Sequence, residues 1–235
     1  MPTLQRLSIL DTCDSPNQGE HGIHKIVISV PSLKYLNFVN FYGDLCLCEN
    51  MPEVVEANVK VIYESPAKLL ESLPSVKRLY LCLSTSMLHH RIGFYYLVHL
   101  ELCVDSIGWD LVTWMLESSP KLQVLNVGKC EEGSCAISAT ESHWRGPSSV
   151  PECLLFHLHT FNWKQYSTED EGMKIVAYIL KNARQLKTAS ISAWKYCSKD
   201  EQSQKISELV SLPRASSSCQ LVVESRKSRS ILSES

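Results

Sequence analysis

Residues 74–81 read Pro74-Ser75-Val76-Lys77-Arg78-Leu79-Tyr80-Leu81, a proline followed at +2, +5 and +7 by apolar side chains. The spacing recurs along the chain. Pro2 leads Leu4, Leu7 and Ile9; Pro31 leads Leu33, Leu36 and Phe38; Pro52 leads Val54, Ala57 and Val59; Pro120 leads Leu122, Leu125 and Val127. Three rungs keep the offsets without the proline: Leu97, Leu100 and Leu102 after Tyr95; Leu158, Phe161 and Trp163 after Phe156; Leu186, Ala189 and Ile191 after Arg184. Positions +5 and +7 share one face of an extended segment, and +4, +6 and +8 share the other. Each rung is therefore predicted to be a short strand with one apolar face, and self-similarity at about 20 to 36 residues marks a stacked repeat array.

Between rungs the apolar spacing turns helical, at Ala67 to Leu73, Asp110 to Glu117, Gly172 to Asn182 and Lys205 to Leu212. Ser167-Thr168-Glu169-Asp170-Glu171 offers a cap and an acidic first turn ahead of the stripe Met173, Val176, Ala177 and Leu180, which Asn182 closes. Ser198-Lys199-Asp200-Glu201 is a capping box ahead of Ile206, Leu209 and Val210, and Pro213 stops that helix. Strand, return and parallel strand give an α/β fold, a right-handed solenoid of leucine-rich-repeat type with a parallel inner sheet. Rung starts are 29 residues apart from Pro2 to Pro31 but 21 from Pro31 to Pro52, so the outer returns differ in length. Glycine, proline and paired serines over Cys130 to Pro151 predict a loop or boundary, and the charged, serine-rich stretch from Ser225 to Ser235 predicts a disordered tail.

The chain has 235 residues, is 44% hydrophobic and carries a net charge of −2. That balance gives no general reason to expect a nucleic-acid or membrane-surface partner. No run approaches the roughly 18 apolar residues that span a bilayer, and the start lacks a signal peptide's apolar region; the expected location is intracellular, cytoplasm or nucleus. The ten cysteines form no Cys-x-x-Cys pair and are read as reduced, buried small hydrophobes. Cys82 and Cys103 hold the same place in successive rungs. Cys153, His157 and His159 come nearest to a metal cluster, but Leu158 holds an inward position, so the histidines beside it turn elsewhere. No metal or cofactor is expected. Phosphate-binding loops, the Gly-x-Ser-x-Gly elbow and the His-Glu-x-x-His helix are absent, so the chain is not read as an enzyme. His89-His90-Arg91 reads as an exposed turn, and Trp109, Trp114, Trp163 and Trp194 as core or groove fillers.

Ordered blocks in the C-terminal third carry a family resemblance. They are Gly146-Pro147-Ser148-Ser149-Val150-Pro151-Glu152-Cys153-Leu154; Leu158, Phe161 and Trp163 with Tyr166; Tyr178-Ile179-Leu180-Lys181-Asn182-Ala183 ahead of Leu186-Lys187-Thr188; and Leu212-Pro213-Arg214-Ala215-Ser216-Ser217-Ser218-Cys219-Gln220-Leu221. In this order the blocks resemble the FBD module of plant F-box proteins, and the preceding rungs resemble the leucine-rich repeats of the F-box/FBD/LRR family. The expected layout is a repeat region over 1–130, a boundary over 131–145, an FBD domain over 146–224 that continues the array, and a tail over 225–235. The resemblance implies the target-binding part of a receptor in an SCF-type ubiquitin ligase. In that family an N-terminal F-box holds a Skp1-like adaptor. Met1-Pro2-Thr3-Leu4 opens inside a repeat, so the expectation is a chain without its own F-box, with adaptor binding left unassigned. The alternative is a scaffold or decoy that binds the same targets without ligase coupling; a hydrolase using a cryptic cysteine ranks last.

If +5 and +7 face the core, the +4, +6 and +8 residues form an exposed inner face. The candidate protein-binding residues there are Tyr35, Asn37, Glu56, Asn58, Lys60, Arg78, Tyr80, His99, Glu101, Asn126, Asn162 and Lys164, flanked by Arg6, Ser8, Thr160, Thr188, Ser190 and Ser192. Mixed charge with tyrosine and arginine suits a protein partner of unknown identity.

Overall fold

The computed structural model describes residues 3–11, 26–40, 46–61, 66–83, 92–104, 109–128, 144–166, 170–193 and 199–225. Outside these fall most of the 131–145 boundary, the tail beyond Ser225, both helix-cap serines, His89-His90-Arg91, Cys130, Cys135 and Trp194.

Among the described residues, nine strands form one parallel sheet: β1 (Arg6–Asp11), β3 (Tyr35–Asn40), β5 (Glu56–Val61), β6 (Arg78–Leu83), β7 (His99–Cys103), β8 (Val124–Gly128), β9 (Thr160–Tyr166), β10 (Thr188–Ala193) and β11 (Gln220–Ser225). Sequential neighbours pair in the order the rungs appear, which is the topology of an LRR-like solenoid. The register follows the repeat. Leu7, Leu36, Ala57, Leu79, Leu100, Leu125, Phe161, Ala189 and Leu221 align across the sheet, and Ile9, Phe38, Val59, Leu81, Leu102, Val127, Trp163, Ile191 and Val223 align two residues on. From Leu36 to Ile191 all members of both rows are buried and join one core.

The proline at the head of a rung has a specific task. The +2 amide donates back to the −1 carbonyl, as in Leu33 to Val30, Val54 to Met51, Val76 to Leu73 and Leu122 to Ser119, so the proline fills the second place of a four-residue turn. Its fixed φ suits that place, and no amide of its own is needed there. Tyr95 and Arg184 sit in equivalent turns, closed by Leu97 to Phe94 and Leu186 to Ala183. Past the turn, one carbonyl per rung accepts two amides of the next: Gln5 from Lys34 and Tyr35, Val55 from Lys77 and Arg78, Gln123 from His159 and Thr160, His159 from Lys187 and Thr188. The same relay runs unbroken from the repeats into the last rungs, so the C-terminal region continues the array.

The returns are less uniform than the strands. The first two contain strands, β2 (Ile26–Ser29) and β4 (Cys46–Glu49), which pair in parallel as a separate two-stranded sheet. The later ones carry α1 (Ala67–Glu71), α2 (Trp109–Ser118), α3 (Glu152–Phe156), α4 (Asp170–Asn182) and α5 (Lys199–Ser211). In α4 the buried face is Ile175, Val176, Ile179 and Leu180, while Ala177 is half-buried, so the stripe is rotated slightly from the sequence expectation. Asn182 ends the helix by donating to the Tyr178 carbonyl at 2.8 Å. In α5 Leu209 is buried but Val210 is exposed.

Cys82, Cys103, Cys153 and Cys219 are buried. Cys153 donates to the Leu116 carbonyl from α2, and burial pushes its thiol up to about 12, which leaves it without thiolate character near neutrality.

Candidate functional site

Alternation places the polar half of each rung on the inner face of the sheet, and pairing in register turns those residues into rows. The +4 row runs Arg6, Tyr35, Glu56, Arg78, His99, Val124, Thr160, Thr188; the +6 row runs Ser8, Asn37, Asn58, Tyr80, Glu101, Asn126, Asn162, Ser190. The +6 row contains two asparagine ladders. Asn58 Nδ2 donates to Asn37 Oδ1 at 2.9 Å and Asn37 Nδ2 to Ser8 Oγ at 2.8 Å. Farther along, Asn162 Nδ2 donates to Asn126 Oδ1 at 2.8 Å, and Asn126 Nδ2 lies 3.2 Å from His99 Nε2. With the amides in this orientation His99 Nε2 accepts, so the ring is neutral with its proton on Nδ1. The sequence showed asparagine at +6 in four rungs without showing that the amides meet.

Between the ladders lies a depression of about 160 Å³ lined by Tyr35, Glu56, Asn58, Arg78, Tyr80, His99 and Glu101, with Ala57 and Leu79 completing it. Seven of the twelve candidate residues therefore converge on β3, β5, β6 and β7. Asn37, Asn126 and Asn162 stand in the ladders on either side. Arg6 lies over the Tyr35 ring at 4.1 Å, a cation–π contact at the margin.

Two candidates stand apart from the depression, and one of them is not exposed. Lys60 is only 7% exposed and stands in register with Cys82, itself paired with Cys103. Cys82 and Cys103 form a small buried cluster against which Tyr80 packs, so the centre of the +8 row lies out of solvent. Lysine tolerates this because its four-carbon stem can run along apolar surface. Lys164 is exposed but lies beside the β9 irregularity, where Trp163 pairs with Ile191 and Tyr166 with Ala193. It is separated from the depression by β8.

Burial foremost, and then the Arg78 guanidinium, hold the His99 pKa below 6.5, while Glu101 and Glu56 pull the other way. The folded ring resists a proton that the unfolded ring accepts, so this contribution to stability is present above pH 6.5 and declines as pH falls below it. An NMR titration of the His99 ring is expected to give a midpoint below 6.5, moved partway back by Arg78→Met because burial, the larger cause, remains.

Comparison with known proteins extends the geometry. The FBD family model matches residues 146–191, which hold α3, β9, α4 and most of β10. A putative FBD-associated F-box protein of Arabidopsis thaliana is 60% identical over 95% of this chain, which covers 53% of that relative. An Arabidopsis F-box/FBD/LRR-repeat protein is 40% identical over 95% of this chain, which covers 52% of it. Over nearly its whole length the chain is similar to F-box/FBD/LRR-repeat proteins. It spans about half the length of the curated relatives it matches. No solved structure matches it. The depression, lined by residues between 35 and 101, lies ahead of the FBD match in sequence. No helix among the described residues is long and apolar enough to cross a membrane.

Proposed function

We propose that the chain is a protein-interaction module whose inner sheet face, centred on the depression between β3 and β7, receives a target protein. The supporting observation is the convergence of Tyr35, Glu56, Arg78, Tyr80, His99 and Glu101 on one concave site. Tyrosine and arginine are over-represented among the residues that dominate protein–protein affinity, and solenoids commonly bind through such faces. Names of the relatives carry the F-box label, and the resemblance supports a role in target selection for an SCF-type ubiquitin ligase. A scaffold or decoy that holds the same targets without delivering them uses the same face. The two readings separate on direct binding of a Skp1-like adaptor by residues 1–235, required by the first and absent in the second.

The face itself is tested by replacing Arg78, Tyr80 and Glu101 together with alanine. Truncating a well-packed anchor costs about 2 kcal/mol or more of binding, so proteins recovered from plant extract should fall at least about tenfold while circular dichroism stays that of the parent. An unchanged set of recovered proteins would rule the face out.

A further inference from the structure

We infer that the depression is a socket for a single arginine side chain presented by the partner protein, a reading that rests on the inner-face function above. Size argues first. At about 160 Å³ the space lies below the roughly 300–1,000 Å³ typical of small-molecule sites, and suits one long side chain.

Charge and hydrogen-bonding capacity then select the side chain. Glu56 and Glu101 line the space with one guanidinium, that of Arg78, and a second, that of Arg6, sits at its margin over the Tyr35 ring. Within the lining itself the carboxylates outnumber the guanidinium by one. An ionised carboxylate has about four lone-pair sites and a guanidinium five donors, so two carboxylates leave acceptor capacity beyond what Arg78 can use. Asn58 lines the same space, with its Nδ2 committed to Asn37. An arriving carboxylate would meet Arg78 but place more acceptors beside Glu56 and Glu101. Tyr35 and Tyr80 supply aromatic walls, and the Arg6 contact shows that the Tyr35 ring already takes a guanidinium on this sheet. Arginine fits better than lysine because its planar fork can engage two carboxylates together while stacking on a ring.

The test is an NMR titration of the isotopically labelled 235-residue chain with N-acetyl-arginine methylamide. N-acetyl-citrulline methylamide is the neutral isostere and N-acetyl-glutamate methylamide the anionic control. Saturable shifts at residues 56–58, 78–80 and 99–101 are expected with the arginine probe, with binding at least about tenfold weaker for citrulline. Glu101→Gln and Glu56→Gln should each weaken the arginine probe while preserving the amide spectrum elsewhere. Equal binding of citrulline, stronger binding of the glutamate probe, or no saturable shift would overturn the socket. None of these probe results depends on a variant folding. Loss of protein recovery by the triple alanine variant without arginine binding would sink the socket alone. Arginine binding with protein recovery unchanged by that variant would instead support the socket chemistry and sink the inner-face function.

Discussion

Leu125→Asp is expected to abolish the folded array. Leu125 is fully buried, in register between Leu100 and Phe161 at the middle of the inward row. Removing a core leucine costs about 2–5 kcal/mol in lost burial and cavity. An unpaired carboxylate in the same place adds several more. The sum is comparable to the whole stability of an ordinary domain, about 5–15 kcal/mol. Because each rung leans mainly on its neighbours, hydrogen exchange should show protection lost first in β7, β8 and β9, with the far-ultraviolet signal falling as the break spreads. Asn126→Asp is the control. It lies one residue on, on the opposite face, and exchanges the donor to His99 for a carboxylate oxygen, which the His99 ring meets by carrying its proton on Nε2, so about 1 kcal/mol is expected. Similar damage from both substitutions would contradict the alternation of faces.

Trp144→Ala is expected to loosen the junction where the C-terminal rungs join the array. Trp144 lies just ahead of the FBD match and ties three segments together. Its backbone amide donates to Glu171 Oε2 at 2.9 Å, its indole Nε1 to Thr113 Oγ1 at 2.8 Å, and its ring meets Tyr178 edge-on at 5.5 Å. Thr113 in turn donates to the Arg145 carbonyl at 3.2 Å. A core tryptophan replaced by alanine costs about 3–5 kcal/mol; this one is half-buried, and about 2–3 kcal/mol is expected. Trp144→Phe keeps the aromatic contact and gives up the indole donor, about 1 kcal/mol. Exchange protection should fall in α2 and α4 while β3 to β6 keep theirs. A uniform loss along the chain would contradict a local clasp.

The strands and their register were legible because the repeat fixes them twice, through the turn that proline favours and through the two inward residues after it. Leu79 aligns with Leu100 and Leu81 with Leu102 as the offsets require. The returns follow no such rule. Ile26–Ser29 and Cys46–Glu49 are four-residue strands, too short for periodicity to separate strand from helix. α3 was missed for the same reason, with only five residues beginning right after Pro151. On the inner face, alternation gave the side of each residue but not its accessibility. Lys60 and Tyr80 share that side with the others, yet Lys60 is buried and Tyr80 packs on Cys82 and Cys103. The meeting of Asn58 with Asn37 depends on side-chain rotamers across strands 21 residues apart in sequence.

Hydroxyl-radical footprinting of the chain bound to a recovered protein most directly tests whether the inner face is the binding surface. Tyr35 and Tyr80 line the depression, whereas Tyr95 and Tyr96, 65% and 55% exposed, mark the turn ahead of β7. The expected result is a severalfold drop in oxidation of Tyr35 and Tyr80 with Tyr95 and Tyr96 unchanged. Protection of Tyr95 and Tyr96 with Tyr35 and Tyr80 oxidised at their unbound rates would contradict it.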